Sequence, residues 1–137
     1  MYQHILAATD FSDPGDRALR KASELAVALG AKLTFVHVMV SEDSASPMYA
    51  EHEVRAHVER LEAQLAAKLP AHAKHIQVDF HVRVGNAAAE ILAAVQDHGA
   101  DLLVIASNGQ KGITQWLLGT VTDRVVRGSE RDVLVVT

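Results

Sequence analysis

Two short stretches of this chain carry groups suited to holding an anion and a polar ring. One is Asp10, which follows the apolar run Ile5-Leu-Ala-Ala-Thr9. The other begins at Ala106-Ser-Asn-Gly109-Gln-Lys-Gly112 and continues to Gly119-Thr120. That second stretch follows Asp101-Leu-Leu-Val-Ile105, which reads as a buried strand, and leads into a helical pattern from Leu117 to Arg127. A strand, a loop rich in glycine, serine and asparagine, and then a helix start make backbone N–H groups converge, the usual seat for a phosphate. The spacing Gly109-x-x-Gly112 is weak on its own, because a surface loop using glycine for turn geometry looks the same. It matches neither the dinucleotide fingerprint nor the lysine-containing phosphate loop.

The elements that must position these groups can be read in chain order. After the first apolar run, Pro14 suits the opening turn of a helix, with Ser12 or Asp13 as its cap. Leu19, Ala22, Ala26 and Leu29 recur at helical spacing, and Gly30 stops the helix. Lys32 to Met39 is too continuously apolar for a half-exposed strand and suits a parallel sheet covered on both faces. Ser41 to Met48 is polar, carries Pro47 and reads as a loop. Val54, Val58, Leu61, Leu65 and Leu69 then form an amphipathic helical stripe that Pro70 ends. From Ile76 to Val84 apolar residues alternate with Gln77, Asp79, His81 and Arg83, the pattern of an edge strand with one wet face. Gly85-Asn86 turns into a helix carrying Ile91, Leu92 and Val95 and closed by Gly99. Val133-Leu-Val-Val136 is a final strand. Strand and helix thus alternate four times before the last strand, which demands parallel neighbours and right-handed crossovers. The fold class is α/β in a single domain.

Composition narrows the functions. A chain of 137 residues is long enough for a core without staples, and a net charge of −4 without a basic stripe argues against nucleic acid as a partner. The absence of cysteine excludes disulfides, thiol catalysis and thiolate-bound metals. With no long apolar run and no signal-peptide pattern at Met1-Tyr-Gln-His-Ile5, no membrane insertion is expected and the cytoplasm is the expected compartment. The eight histidines are scattered along the sequence. His52 and His57 diverge on a helix, and His72 and His75 form no metal pattern.

In an open parallel sheet, ligands lie beyond the carboxyl ends of the strands where the strand order reverses. If the first and fourth strands are neighbours there, Asp10 faces the backbone nest at Ser107, Asn108 and Gly109. A carboxylate accepts hydrogen bonds from ribose hydroxyls and a nest holds phosphates; an adenosine nucleotide needs both. A bracing or helix-capping role is the alternative for Asp10.

These residues carry a resemblance to the universal stress protein family. It spans the chain, from Ile-Leu-Ala-Ala-Thr-Asp-Phe-Ser at 5–12, through Val-His-Val at 36–38, to Leu-Leu-Gly-Thr-Val-Thr-Asp-Arg-Val-Val at 117–126 and the closing Val-Leu-Val-Val. The phosphate loop of that family's ATP-binding branch reads Gly, two residues, Gly, nine residues, Gly, then Ser or Thr. Here Gly109 is the second glycine, nine residues from Gln110 to Leu118 follow, and Gly119-Thr120 completes the pattern. Ala106 replaces the first glycine: alanine is strained there if the backbone needs positive φ, and harmless if it ends the strand.

The resemblance implies a Rossmann-like, adenine nucleotide alpha hydrolase-like sheet of five parallel strands in the order 3-2-1-4-5, with helices on both faces. It further implies ribose at Asp10 beside Ala8 and Thr9, and adenine near Val38. Phosphates would meet Ser107, Asn108, Gly109, Gly112, Gly119, Thr120, Val121 and Thr122, with Ala106 at the strand end. The implied cofactor is ATP, with Mg²⁺ as its companion ion for which Asp10, Asp13 and Thr120 offer oxygens; AMP, ADP or no nucleotide are the alternatives. No catalytic residue is assigned, since Lys111 is the lone cation near the loop, and slow ATP hydrolysis stands as one alternative function. A partner-binding protein with an empty loop is another, and Trp116 and Leu117 read as an anchor for the last helix. Expected partners are a second copy, paired through the bare apolar strand 133–136, and an unidentified regulatory protein or transporter.

Overall fold

The computed structural model describes residues 1–40, 50–108 and 119–137, with the backbone alone over 50–52. Ser41–Met48, expected to be a loop, lies outside the described residues, as do Gly109, Lys111, Gly112, Trp116 and Leu117. Five strands alternate with helices: β1 His4–Ala8, α1 Asp13–Leu29, β2 Lys32–Val40, α2 Ala50–Ala67, β3 Val78–Gly85, α3 Ala87–His98, β4 Leu102–Ala106, α4 Thr120–Gly128 and β5 Asp132–Val136. A single 3-10 turn, Ala71–Ala73, joins α2 to β3. The strands form one parallel sheet in the order β3-β2-β1-β4-β5, as the resemblance implied.

Local chemistry accounts for the boundaries. Ser12 caps α1 by accepting from the Gly15 amide at 3.2 Å, and Asn86 caps α3 by accepting from the Ala89 amide at 3.0 Å. Gly30 and Gly99 end their helices at φ 67° and 68°, a left-handed conformation that favours glycine.

Every residue of β1 and β4 is buried, so these two strands are the centre of the molecule. On one face Ile5, Ala7, Leu33, Phe35, Leu102 and Val104 pack under α1 and the end of α2, where Leu19, Ala22, Ala26 and Leu65 close the layer. Phe35 meets Phe80 edge to face with ring centres 5.8 Å apart. On the other face Leu6, Val36, Leu103 and Ile105 pack under Ile91, Ala94, Val95 and Val125 of α3 and α4. Each fully buried large apolar side chain contributes about 1.5–3 kcal/mol, so the two layers supply the main stabilising term.

The structure departs from the sequence reading in three places. The helix α2 ends at Ala67 rather than running to Leu69, because a residue before proline is pushed out of helical φ/ψ. Its apolar stripe is buried only in the second half, at Leu61 and Leu65, while Val54 is 40% exposed. The supposed wet face of β3 is a polar seam under α3. Arg83 reaches Glu90 at 3.0 Å and Asp97 at 3.1 Å, His81 stacks on His98 with ring centres 4.4 Å apart, and Lys32 pairs with Asp79 at 3.1 Å. Ion pairs and ring contacts thus dock α3 on the edge strand where apolar contacts would ordinarily do so.

Candidate functional site

Strands β1 and β4 are neighbours, with Ile5 opposite Leu102 and Ala7 opposite Val104. The strand order reverses between them, and the chain leaving each strand there borders a cleft of about 270 Å³. Of the sequence-selected residues, Ala8, Thr9, Asp10, Val38, Ala106, Asn108, Val121 and Thr122 line it. Ser107 directly follows β4 and is bonded to Gly119, which with Thr120 starts α4 next to the lining residue Val121; Gly109 and Gly112 lie outside the described residues. Gly15, Val40, Ala87, Ile91 and Ile105 also line the cleft and were not selected from sequence.

The turn after β1 is built from short polar links. The Phe11 amide donates to Thr9 Oγ1 at 2.9 Å, and Thr9 Oγ1 donates to Asp16 at 3.4 Å. The Ser12 amide donates to Asp10 Oδ1 at 3.0 Å, and the Ser12 hydroxyl donates to the same oxygen. Asp10 therefore does brace its own loop, yet it is solvent-exposed and lines the cleft. Phe11 has φ 66°, unusual for a bulky residue, which marks a turn held by its surroundings. Gly15 explains the fit. A Cβ there would lie 2.4 Å from Thr9 Oγ1 and 2.9 Å from Asp10 Oδ1, so only glycine lets the helix approach the turn. A glycine inside the first turn of a helix was the available sequence signal.

Across the cleft, β4 hands over to α4 through two bonds. The Gly119 amide donates to the Ser107 carbonyl at 2.7 Å, and Thr122 Oγ1 donates to the Ala106 carbonyl at 2.6 Å. Thr122 is buried, so its hydroxyl clamps the helix to the strand end. Gly119 is the cap residue at φ −63° and ψ 161°, and among the described residues no side chain caps the helix. Helix geometry leaves the amides of Thr120, Val121 and Thr122 without intrahelical acceptors, and the helix dipole adds positive potential there. Ala106 ends β4, is buried and has no positive φ, so replacing glycine brings no backbone strain.

The cleft walls between these two polar ends are Ala8, Val38, Val40, Ile91 and Ile105. The arrangement offers a carboxylate at one end, an uncapped helix start at the other, and aliphatic surface between. It fits a ligand with an apolar ring, hydroxyls and an anionic tail. Among the described residues no three histidine or acidic side chains gather as a metal site, and no helix is long and apolar enough to cross a membrane.

The histidines are less scattered than the sequence suggested. His4 meets Thr34 Oγ1 at 2.7 Å and the backbone of His98, whose ring stacks on His81. Burial, then Lys32, lowers the pKa of His4 below the usual histidine value. Burial, then His81, His4 and Arg83, lowers that of His98.

A profile of the universal stress protein family matches residues 1–137. Universal stress protein YxiE of Bacillus subtilis is 31% identical over 147 residues, covering 99% of each chain. Universal stress protein MJ0577 of Methanocaldococcus jannaschii is 29% identical over 154 residues, covering 99% of this chain and 95% of that protein. A solved structure of MJ0577 superposes with a TM-score of 0.83, covering 99% of this chain and 96% of that one, at 26% identity. A universal stress protein solved in complex with cAMP superposes at 0.78, with 25% identity and coverage of 99% and 97%. Matching along its whole length in sequence, strand order and helix placement, the chain belongs to the universal stress protein family.

Proposed function

We propose that this protein binds an adenine nucleotide, ATP with Mg²⁺ foremost, in the cleft at the carboxyl ends of β1 and β4, and acts as a small regulatory protein. The observation that carries this reading is the uncapped start of α4 facing the Asp10 turn across aliphatic walls. Asp10 would accept from the ribose hydroxyls, Val38 and Val40 would flank the adenine, and the amides of Thr120, Val121 and Thr122 would take the phosphates, with Gly119 leaving room for their approach. The family relative bound to cAMP supports an adenine nucleotide as the ligand class.

Titration calorimetry with ATP and Mg²⁺, against AMP, ADP and adenosine, tests the proposal. Losing a charge-assisted hydrogen bond by Asp10→Ala should cost roughly 1.5–3 kcal/mol, about ten- to a hundredfold in affinity. Gly119→Val should block the phosphate seat and leave the fold intact, because among the described residues a Cβ at Gly119 meets nothing closer than 3.4 Å and the backbone there suits any residue. Adenosine should bind more weakly than ATP. No heat at millimolar ATP, or full affinity in Gly119→Val, would overturn the reading in favour of a partner-binding protein. Product formed in a single turnover with Mg-ATP would instead make it a slow ATPase.

We also propose a homodimer joined along β5. That strand is one edge of the sheet, with Val133 to Val136 only partly buried. An apolar edge is a liability unless another chain covers it. Light scattering at tens of micromolar should report a dimer, and Val135→Pro should abolish it.

A further inference from the structure

The turn that carries Asp10 leans on a histidine of the neighbouring strand. His37 sits in β2, half-buried, with its Nδ1 2.9 Å from the Thr9 carbonyl oxygen. A carbonyl only accepts, so Nδ1 carries the hydrogen. The same ring packs against Phe11 with centres 4.4 Å apart at a tilt of 42°. Thr9 and Phe11 flank Asp10, and Phe11 is held at φ 66°. His37 is therefore bonded to the residue before Asp10 and stacked on the residue after it, without itself lining the cleft.

We infer that His37 is a positioning residue for the nucleotide site: its N–H fixes the Thr9 carbonyl and its ring holds Phe11, so that the Asp10 carboxylate is presented to the ribose in advance of binding. This rests on the nucleotide reading above. The left-handed turn at Phe11 is unfavourable for a free chain, and two contacts from one rigid side chain offset that preference. Without them the turn samples other conformations, and the ligand must order it on binding, which weakens affinity.

Two substitutions separate the N–H from the ring. His37→Phe keeps an aromatic ring for Phe11 and loses the donor. His37→Asn keeps an amide donor close to the position of Nδ1 and loses the ring. Measured by calorimetry with ATP and Mg²⁺, the phenylalanine variant should bind about three- to tenfold more weakly, the worth of one hydrogen bond. The asparagine variant should stay within about twofold, since the donor is what it restores. In an Asp10→Ala background, His37→Phe should have no further effect, because a residue acting through Asp10 has nothing left to position. Unchanged affinity in His37→Phe, an equal loss in the Asp10→Ala background, or an equal loss in His37→Asn would each overturn the inference. Amide exchange of Phe11 and Ser12 without nucleotide gives a readout that stands apart from binding. It should accelerate most in His37→Phe and less in His37→Asn, which loses only the ring contact, and exchange unchanged in both would sink the positioning role. If the unaltered protein binds no ATP while exchange behaves as stated, the nucleotide reading fails and the role of His37 in shaping this turn stands.

Discussion

Replacing Gly15 with alanine tests whether close approach of α1 to the Asp10 turn holds this end of the molecule together. The added methyl would stand 2.4 Å from Thr9 Oγ1, 2.9 Å from Asp10 Oδ1 and 3.2 Å from the Asp10 backbone nitrogen. The first contact is about 1 Å shorter than ordinary packing allows. Thr9 Oγ1 cannot swing away freely, because it accepts from the Phe11 amide and donates to Asp16. Overpacking of this kind costs about 1–3 kcal/mol, and losing the Phe11 bond adds about 1 kcal/mol. Alanine's better helix propensity returns about 1 kcal/mol. The net is a destabilisation of about 2 kcal/mol, which for a domain of this size lowers Tm by roughly 6–10 °C. Calorimetric melting and urea denaturation would measure it. Adding Thr9→Ala to Gly15→Ala removes the worst contact, so the double variant should lose less than the two single changes summed. A Gly15→Ala protein melting within a degree of the original would refute the reasoning, since the turn would then have to yield at no cost.

Other expectations follow from the contacts described above. Thr122→Val keeps the shape but removes the donor to the Ala106 carbonyl, and should destabilise by about 1–3 kcal/mol on urea denaturation. His4 and His98 have folded pKa values below their ordinary 6.5, so the unfolded chain takes up protons first as pH falls. Their contribution to stability is complete above about pH 6.5 and is lost as pH falls from there through the folded values; denaturation midpoints at pH 8 and pH 5.5 should differ in that direction. At Asp101, burial opposes ionisation, but the backbone amides of Gln3 and His4 outweigh it and lower the pKa, so its contribution is lost at more acid pH.

The fold was legible because its signals are periodic. Continuous apolar runs gave the buried parallel strands, Asn86 and Gly99 marked the ends of α3, and alternation in β3 marked an edge. The place of Asp10 on the cleft was legible because it directly follows the first strand, whose carboxyl end borders that cleft. The polar seam under α3 was hidden, since an alternating strand reads as solvent-facing whether its polar side meets water or meets Glu90, Asp97 and His98. The roles of Gly15 and His37 were hidden for another reason: each acts through contacts with the Thr9–Phe11 turn, and the distances to Thr9 span six and twenty-eight positions of sequence respectively. Periodicity carries no trace of such contacts. The Ala106 question was answerable only by backbone geometry, which places it at a strand end.

The bond from the Gly119 amide to the Ser107 carbonyl has a consequence for how this chain can vary. It brings the departure from β4 and the entry to α4 to one point, and Thr122 fastens the same junction from inside. Residues 107 and 119 are thereby joined by the scaffold itself. Closure entropy grows only with the logarithm of length, so lengthening a chain between two joined points costs little, about 0.6 kcal/mol for each doubling. An insertion between these two residues should therefore leave the stability of the sheet almost unchanged, which urea denaturation of a lengthened variant would measure.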